Sequence, residues 1–423
     1  MKCASVCVSR VKSNSDVVVV GGGPCGSFTA LNLAKKSIDV TVLEEHSEIG
    51  VPSHCAGHVS IKGLRDLGLY PLPKDIVENI FNGATFHSPF GKQFSVRFST
   101  PVTCVVNRSL FDKHITRMAE AFGAKYCLDS RVDSLIIKNG HVYGVTIKQE
   151  ENVVERTSKI VVDAEGVSSR LLKQTKLTCL DRRMLFNGVE VEVDNVKDVD
   201  LDSVEVFLGR DYAPGFFAWL IPKPDGFAKA GLVTKTGNPK ELLQRLMIKH
   251  PVASKKLGRA RILQTAFHPV TLGGLIQRMH SHGFLAVGDV ASQVKPTTGG
   301  GVVLGMNCAK IAADVVAEAL NAGDFSEEIL SNYQARVGEF LDFDMHVMLG
   351  IRKALDRLPD KKLDDAVNLC AKLGLDKVFR NVSDTDLQGR SLLCTLGNPR
   401  MLAVLGYFVR LYLSTLSGSI CAS

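Results

Sequence analysis

The chain lacks several features that would settle its class at once. Its eleven cysteines, an odd number, include no CxxC pair, which argues against a disulfide framework, a zinc site or an iron–sulfur cluster. We therefore expect no metal and a reducing, cytoplasmic compartment. The first 15 residues contain no long apolar core, so we expect neither a signal peptide nor an anchor there. Cys3 and Cys7 could be lipidated or bind a ligand, but we interpret them as part of a frayed terminus.

Charge and hydrophobicity narrow the class further. A net charge of +7, scattered over 423 residues, is too mild for a dedicated nucleic-acid binder. With 45% hydrophobic residues, the chain can bury a large core in two or three subdomains. Gly406 and Arg410 interrupt the last apolar run, residues 401–418, and a membrane span needs about 20 mostly apolar residues. We favour a buried or dimer-packing helix there over an interfacial helix or a span.

Residues 16–44 carry the most informative pattern. They predict a strand over Val17–Val20, a glycine turn, a helix over about residues 27–35, and a second strand over Val40–Leu43 that ends at Glu44. The turn contains a GxGxxG motif, in which the first glycine permits the tight turn, the second admits a pyrophosphate, and the third allows close helix–strand packing. Glu44 follows the last glycine by 18 residues, where a carboxylate can accept hydrogen bonds from a ribose. The pattern predicts dinucleotide binding.

The remaining chain predicts a mixed α/β architecture. Alternating residues over 83–106 and the Asn139-Gly140 turn indicate two hairpins. Residues 185–270 are mainly β and predict an antiparallel sheet inserted into the dinucleotide domain. The sequence then predicts a buried strand over 283–289 and a long helix after a triple glycine, which repeats the strand–glycine–helix order of residues 16–44. The chain from 325 onward is mostly helical.

Two later segments distinguish between dinucleotides. Asp289 follows a strand, so its carboxylate can bind a sugar-alcohol hydroxyl, and the run Gly299-Gly300-Gly301 presents bare N–H groups at a helix N-terminus. Arg108 at the head of a helix and the segment Asp163–Arg170 converge on the same ligand. NAD needs only the glycine turn, whereas FAD, with its ribityl chain and fused ring, needs the later groups too. We therefore predict FAD.

The order of these segments resembles the FAD-binding aromatic-hydroxylase superfamily, and within it the geranylgeranyl reductase family, over about residues 15–320. The loop VPSHCAGH matches the family's Cys-bearing loop at Cys55 and Gly57. The segment FFAWLIP looks like the family's YxWxFP substrate motif, with Phe217 in place of Tyr and Ile221 in place of Phe. The substitution at Phe217 removes a hydroxyl but keeps the apolar character that a prenyl chain requires.

The resemblance implies a fold and a division into domains. The fold class is α/β, with a Rossmann-like FAD-binding domain, an inserted antiparallel-sheet substrate domain and a helical C-terminal region. The expected FAD-binding domain comprises residues 1–60, 101–175 and 280–325. The expected substrate domain comprises 61–100 and 176–279, and the helical region is 326–423.

The resemblance also implies an activity, namely reduction of C=C bonds of geranylgeranyl chains, on archaeal-type glycerophospholipids at the inner face of a membrane. Ferredoxin or NAD(P)H would supply electrons. Three alternatives stay open: a flavin monooxygenase or halogenase, an electron carrier to quinone, and a non-catalytic redox-sensing module. No nucleic-acid partner is expected.

The expected site residues fall into three groups. Cys55 and His54 are the expected catalytic residues, although Cys55 could be an ordinary buried thiol, and His54 and His58 ordinary loop histidines. Phe217, Trp219 and Pro222 are the expected substrate-binding residues, with ordinary sheet core as the alternative. The expected FAD-binding residues are Gly21, Gly23, Pro24, Gly26, Glu44, Glu45, Cys55, Ala56, Gly57, Arg108, Asp163, Gly166, Gly288, Asp289, Pro296, Gly299, Gly300 and Gly301. His268, His280 and His282 are assigned to structure or surface.

Overall fold

A computed structural model describes residues 14–149, 152–379 and 384–420. Cys3 and Cys7 lie outside the described residues. The strands, in chain order, are β1 (Asn14–Val20), β2 (Val40–Leu43), β3 (His58–Ser60), β4 (Val77–Phe81), β5 (Gly83–His87), β6 (Gln93–Arg97), β7 (Thr103–Val106), β8 (Lys125–Cys127), β9 (Val132–Lys138), β10 (His141–Gln149), β11 (Asn152–Asp163), β12 (Leu185–Asp194), β13 (Ser203–Leu208), β14 (Phe217–Pro222), β15 (Ala228–Thr234), β16 (Arg261–Thr271), β17 (His280–Ser281) and β18 (Phe284–Ala286).

The helices are longest in the last third of the chain, as the sequence predicts. In chain order they are α1 (Pro24–Ala34), α2 (Ile61–Asp66), α3 (Arg108–Ala121), α4 (Pro239–Lys249), α5 (Ala253–Leu257), α6 (Val302–Ala322), α7 (Glu327–Asp356), α8 (Asp360–Lys372), α9 (Asp376–Phe379), α10 (Gln388–Leu393) and α11 (Pro399–Ile420).

The first sheet has the strand order β17-β18-β11-β1-β2-β8, with β10 and β9 attached through β11. Strands β18, β11, β1, β2 and β8 run parallel to one another, whereas β17 pairs antiparallel with β18 and β10 pairs antiparallel with β11. The valines at 17–20 and all of β2 are buried, as expected for parallel strands covered on both faces. The predicted β1–α1–β2 unit is confirmed, and α1 begins at Pro24 because proline's fixed φ suits the first helical position.

The second sheet has the order β16-β12-β15-β14-β13-β5-β6. It is the predicted antiparallel sheet, except that β13 and β5 pair parallel. The predicted hairpin over residues 83–106 is confirmed for β5 and β6 only, because β7 pairs instead with β3 and β4 in a third, three-stranded sheet. One face of the second sheet packs its small and aliphatic side chains on α4 and α5. The other face is left for the site.

The architecture confirms the predicted α/β fold class, with parallel and antiparallel sheets followed by C-terminal helices. The last apolar run forms most of α11, whose Met401 and Val404 are buried against α8, α9 and their connection. Within the described ranges, no helix is both long enough and apolar enough to traverse a bilayer.

Candidate active site

Two glycines of the GxGxxG motif stand where the surrounding backbone leaves no room for a side chain, and the third borders open space. Gly21 has φ +99°, and a Cβ there would lie 2.4 Å from the carbonyl oxygen of Ala164. A Cβ at Gly26 would lie 1.9 Å from the carbonyl oxygen of Gly21. By contrast, a Cβ at Gly23, the residue that caps α1, meets no atom of the described residues within 4 Å. The part of the chain that the structure describes therefore leaves the space over Gly23 free, as a phosphate cradle at a helix N-terminus requires.

Glu44 has an additional structural contact that the sequence did not reveal. Its Oε2 accepts a hydrogen bond from the Gly22 N–H at 2.7 Å, and its Oε1 accepts one from the His46 N–H at 3.0 Å. Glu44 thereby ties the glycine turn to the end of β2, and its remaining lone pairs can still accept a ribose hydroxyl. The neighbouring Glu45 is exposed, with its carboxylate 3.5 Å from Arg170.

Arg108 is the charged centre of the site. It begins α3, and Asn107 caps that helix by accepting from the Leu110 N–H. The guanidinium donates two hydrogen bonds to Asp112, at 3.0 and 2.9 Å, and both side chains are nearly buried. Burial lowers the pKa of Arg108, but Asp112 and Cys55 outweigh this effect and raise it overall, so Arg108 stays charged.

The Asp112 carboxylate is expected to stabilise the fold strongly. Asp112→Ala leaves Arg108 buried without its partner, which should lower the free energy of unfolding by about 3–5 kcal/mol. Urea denaturation measures this. The matched control is Asp66→Ala, which breaks the exposed Lys62–Asp66 pair of the same i,i+4 spacing and should cost less than about 1 kcal/mol. Equal losses in the two variants would contradict the buried-pair argument.

The Cys55 loop closes against the start of α3. Gly57 has φ +71°, and a Cβ there would lie 2.2 Å from the carbonyl oxygen of Val106 and 3.4 Å from Cγ of Arg108. Glycine therefore allows the loop to approach Arg108 closely. The Cys55 sulfur accepts from the Gly57 N–H at 3.4 Å and makes a side-chain hydrogen bond with Arg108. The structure thus brings together three of the predicted residues, Cys55, Gly57 and Arg108.

The two histidines beside Cys55 have different surroundings. Nε2 of His58 lies 2.8 Å from Oγ1 of Thr103, and burial lowers the pKa of His58 to about 4, so it is a neutral structural residue of β3. The ring of His54 stacks on His268, with centroids 5.4 Å apart and an interplanar angle of 7°. Burial and then the neighbouring His268 lower the pKa of His54. The contact of His268 with His54 was not predicted from the sequence. It depends on the register of β16 on β12, which places His268 opposite Gly188 and near the Cys55 loop.

The segment after β18 meets the start of α6. Asp289 lies in a short 3₁₀ turn, Gly288–Ala291, and a Cβ at Gly301 would be 2.9 Å from its Oδ1. Burial raises the pKa of Asp289, and Arg108 opposes this shift. The prediction of three bare N–H groups is wrong for Gly299, which donates to the carbonyl of Lys295 at 2.8 Å, so that Gly300 and Gly301 remain as the predicted donors. Pro296 is buried within the same loop.

The DAEG segment contributes structure beside the turn. Asp163 is fully buried at the end of β11, and its Oδ1 accepts from the Glu165 N–H at 3.0 Å. Gly166 has φ +71° and room for a Cβ. Cys25, which the sequence did not single out, fills the contact between helices α1 and α6, since a Cβ at Gly305 would lie 2.4 Å from its sulfur. Burial raises the pKa of Cys25, so its thiol is inert packing.

The free face of the second sheet carries the aromatic segment. Phe217 and Trp219 lie on this face, with ring centroids 6.3 Å apart, and Trp219 packs against the same buried cluster as Ala56 of the Cys55 loop. Pro222 is a correction: side chains alternate along a strand, so Pro222 points to the opposite face and Ile221 lies beside Trp219. A groove next to Phe217 continues to the C-terminal helices. It is lined by Leu208, Gly209, Arg210, Ala213, Gly215, Phe216, Phe217, Thr297, Arg352, Leu355, Asp356 and Leu363.

Comparison with known proteins agrees with this geometry. Residues 14–341 match the model of the FAD binding domain family. The chain is 31% identical over 387 residues to a digeranylgeranylglycerophospholipid reductase of Methanocella arvoryzae, covering 89% of this chain and 95% of the relative. A geranylgeranyl bacteriochlorophyll reductase-like protein of Thermoplasma acidophilum superposes with a TM-score of 0.83 at 26% identity, over 94% of this chain and 99% of that one.

A more distant neighbour shares the fold alone. A triple mutant of a flavin-dependent brominase superposes with a TM-score of 0.69 at 20% identity, over 94% of this chain and 99% of that chain. The match to the FAD-binding model over most of the chain, and the similarity to the reductases over nearly their whole length, define the family. The chain belongs to the geranylgeranyl reductase family of FAD-binding flavoproteins.

Proposed function

We propose that this protein is an FAD-dependent reductase that saturates C=C bonds of geranylgeranyl chains carried by archaeal-type glycerophospholipids. The observation that carries the proposal is the aromatic sheet face of Phe217 and Trp219, where Trp219 packs against the same buried cluster as Ala56 of the loop that holds Cys55. The similar reductase of Methanocella arvoryzae is named for a substrate of this class. The lipid would be taken from the inner face of a membrane by transient contact.

The residues present fit FAD. We assign the pyrophosphate to the open space over Gly23, the adenosine ribose to Glu44, the ribityl chain to Asp289, and the ring carbonyl to Gly300 and Gly301 at the start of α6. When bound, FAD supplies the hydride for a two-electron reduction. Arg108 supports this site with a fixed positive charge next to Cys55 and Asp289.

The chain's own contribution is orientation and exclusion of water. An isolated alkene is a poor hydride acceptor, so close positioning must carry much of the rate. Phe216 stacks on Phe217 with centroids 4.4 Å apart, and a Cβ at Gly299 would lie 3.6 Å from the Phe216 ring. The apolar face therefore reaches the α6 loop, and an isoprenoid chain along the groove would end beside it.

The test is anaerobic reduction of the holoenzyme with dithionite, followed by incubation with a geranylgeranylated glycerophospholipid and mass spectrometry. The proposal expects a gain of two hydrogens for each bond reduced, together with reoxidation of the flavin. Oxygen-dependent hydroxylation or halogenation, with no such gain under anaerobic conditions, would favour the oxygen-using branch of the superfamily and overturn the proposal. Repeating the assay with ferredoxin and with NAD(P)H as the reductant identifies the electron donor.

A further inference from the structure

Glu190 lies on the same sheet face as the aromatic segment. In the register of the sheet, Glu190 of β12 is opposite Gly231 of β15, and Gly231 is opposite Trp219 of β14. Directly opposed residues of antiparallel strands project to the same face. Because Gly231 has no side chain, the Trp219 ring lies over it, and a Cβ there would be 2.5 Å from Cζ2 of Trp219. The carboxyl of Glu190 and the indole of Trp219 are thus neighbours across a bare glycine.

Among the described residues, no cationic side chain pairs directly with the Glu190 carboxyl. Lys223 donates to Glu78 and to Glu192, both at 2.9 Å, and the second ammonium, of Lys229, lies 2.8 Å from Glu78. The carboxyls of Glu78, Glu190 and Glu192 thus face the two ammoniums of Lys223 and Lys229. Both ammoniums pair directly with Glu78 or Glu192 and not with Glu190. Glu190 Oε2 is buried and has no hydrogen-bond partner among the described residues. Arg108, the next cation, already holds Asp112.

The charged side chains around Glu190 also contact the Cys55 loop. Lys229 is buried, and its ammonium donates to the carbonyl oxygens of Ala56 and Val106, each at 3.3 Å. Ala56 follows Cys55, and Val106 ends the strand that leads into Arg108. Trp219 Nε1 is also buried without a hydrogen-bond partner in the described ranges. The carboxyl therefore lies on the same sheet face as Phe217 and Trp219, along which the substrate chain is proposed to lie.

We propose that Glu190 is the acid that protonates the alkene, an inference that rests on the proposed reductase function. The carboxyl O–H bond breaks and a C–H bond forms at one alkene carbon, while the other carbon receives the hydride supplied by reduced FAD. The π bond is lost, the alkene is reduced by two electrons and the flavin is oxidised by two. The Glu190 carboxylate then regains a proton from water.

The protonation state of Glu190 agrees with this role. Burial raises the pKa of Glu190 to about 7; Lys229 and Arg108 oppose the shift, and Glu192 and Glu78 add to it. An acid with a pKa near the working pH both keeps its proton and releases it readily. Since the acid form donates, the rate of alkene reduction should be highest below pH 7 and should fall as the pH rises through about 7.

The experiment is an anaerobic single turnover of dithionite-reduced holoenzyme with geranylgeranylated glycerophospholipid, followed by flavin absorbance and product mass from about pH 5.5 to pH 8.5. Glu190→Gln should be about 100-fold to 10,000-fold slower at low pH and should lose the pH dependence near 7, with FAD affinity unchanged. Glu190→Asp should recover part of the rate. The matched control is Glu192→Gln, two residues along the same strand, which should keep the low-pH rate of wild type. It should also keep a pH dependence, with the midpoint moved to lower pH because the Glu192 charge helps to raise the pKa of Glu190.

A second measurement uses the wild-type holoenzyme, so it requires no folded variant. Infrared titration with labelled glutamate should reveal a protonated carboxyl that ionises near pH 7. Three results would each overturn the assignment. They are ionisation of every glutamate below about pH 5.5, an unchanged rate in Glu190→Gln, and loss of the pH dependence near 7 in His54→Ala. If wild type itself reduces no alkene, the proposed function fails; if wild type does and Glu190→Gln matches it, only this inference fails.

Discussion

Gly23→Val should fold normally and lose FAD. A Cβ at Gly23 meets no atom within 4 Å in the described ranges, and the φ of −68° suits any L-residue. The stability of the apoprotein should therefore be unchanged. The valine side chain would project into the space assigned to the pyrophosphate, where the backbone N–H groups of α1 must come within hydrogen-bonding distance. We expect FAD affinity to fall at least about 100-fold, which corresponds to about 2.8 kcal/mol.

Flavin absorbance per chain after purification, followed by titration of the apoprotein with FAD, measures the loss. Thermal melting of the wild-type and variant apoproteins should give the same midpoint if the fold is unchanged. Gly26→Val is the paired variant: its Cβ would fall 1.9 Å from the carbonyl oxygen of Gly21, so it should destabilise the apoprotein as well as empty it. Full flavin occupancy in Gly23→Val would remove Gly23 from the phosphate site.

The parts of this site that local sequence could predict are those with a short-range signal. The strand–glycine–helix–strand unit lies within 30 residues, because continuous apolar runs, turn glycines and a proline at the helix start act on neighbouring residues. The α6 start and Asp289 were likewise predictable, since glycines and an acid follow a buried strand. Pro222 was misassigned although the information was present: strand alternation in FFAWLIP separates it from Phe217 and Trp219.

The missed residues depend on contacts between distant segments. His268 reaches His54 only because β16 pairs with β12 in one register, and a shift of one residue would turn its ring to the opposite face. Glu190 meets Trp219 through two such pairings. Lys229 approaches the Cys55 loop across 173 positions of sequence, so no local pattern marks it. Sequence motifs and hydrophobic periodicity therefore could not predict the strand register or the pairing of charged side chains.

Cys55→Ala should retain FAD and lose alkene reduction. The variant keeps the backbone of Ala56 and Gly57 and the Arg108–Asp112 pair, so the apoprotein stability should change by less than about 1 kcal/mol. It removes the sulfur that accepts from the Gly57 N–H and that makes a hydrogen bond with Arg108. We expect the single-turnover rate of alkene reduction to fall at least about 100-fold.

Cys179→Ala is the matched control, because Cys179 is another half-buried loop cysteine and its thiol has no part in the proposed site. Its turnover should equal that of wild type, and equal turnover in Cys55→Ala would remove Cys55 from the mechanism. Cys55→Ser separates two roles for the thiol. Recovery of most of the rate would mean that the hydrogen bond to Arg108 orients the loop beside Trp219, with Glu190 as the acid. A loss as large as that in Cys55→Ala would mean that the larger, more polarisable sulfur itself contacts the flavin ring or the alkene.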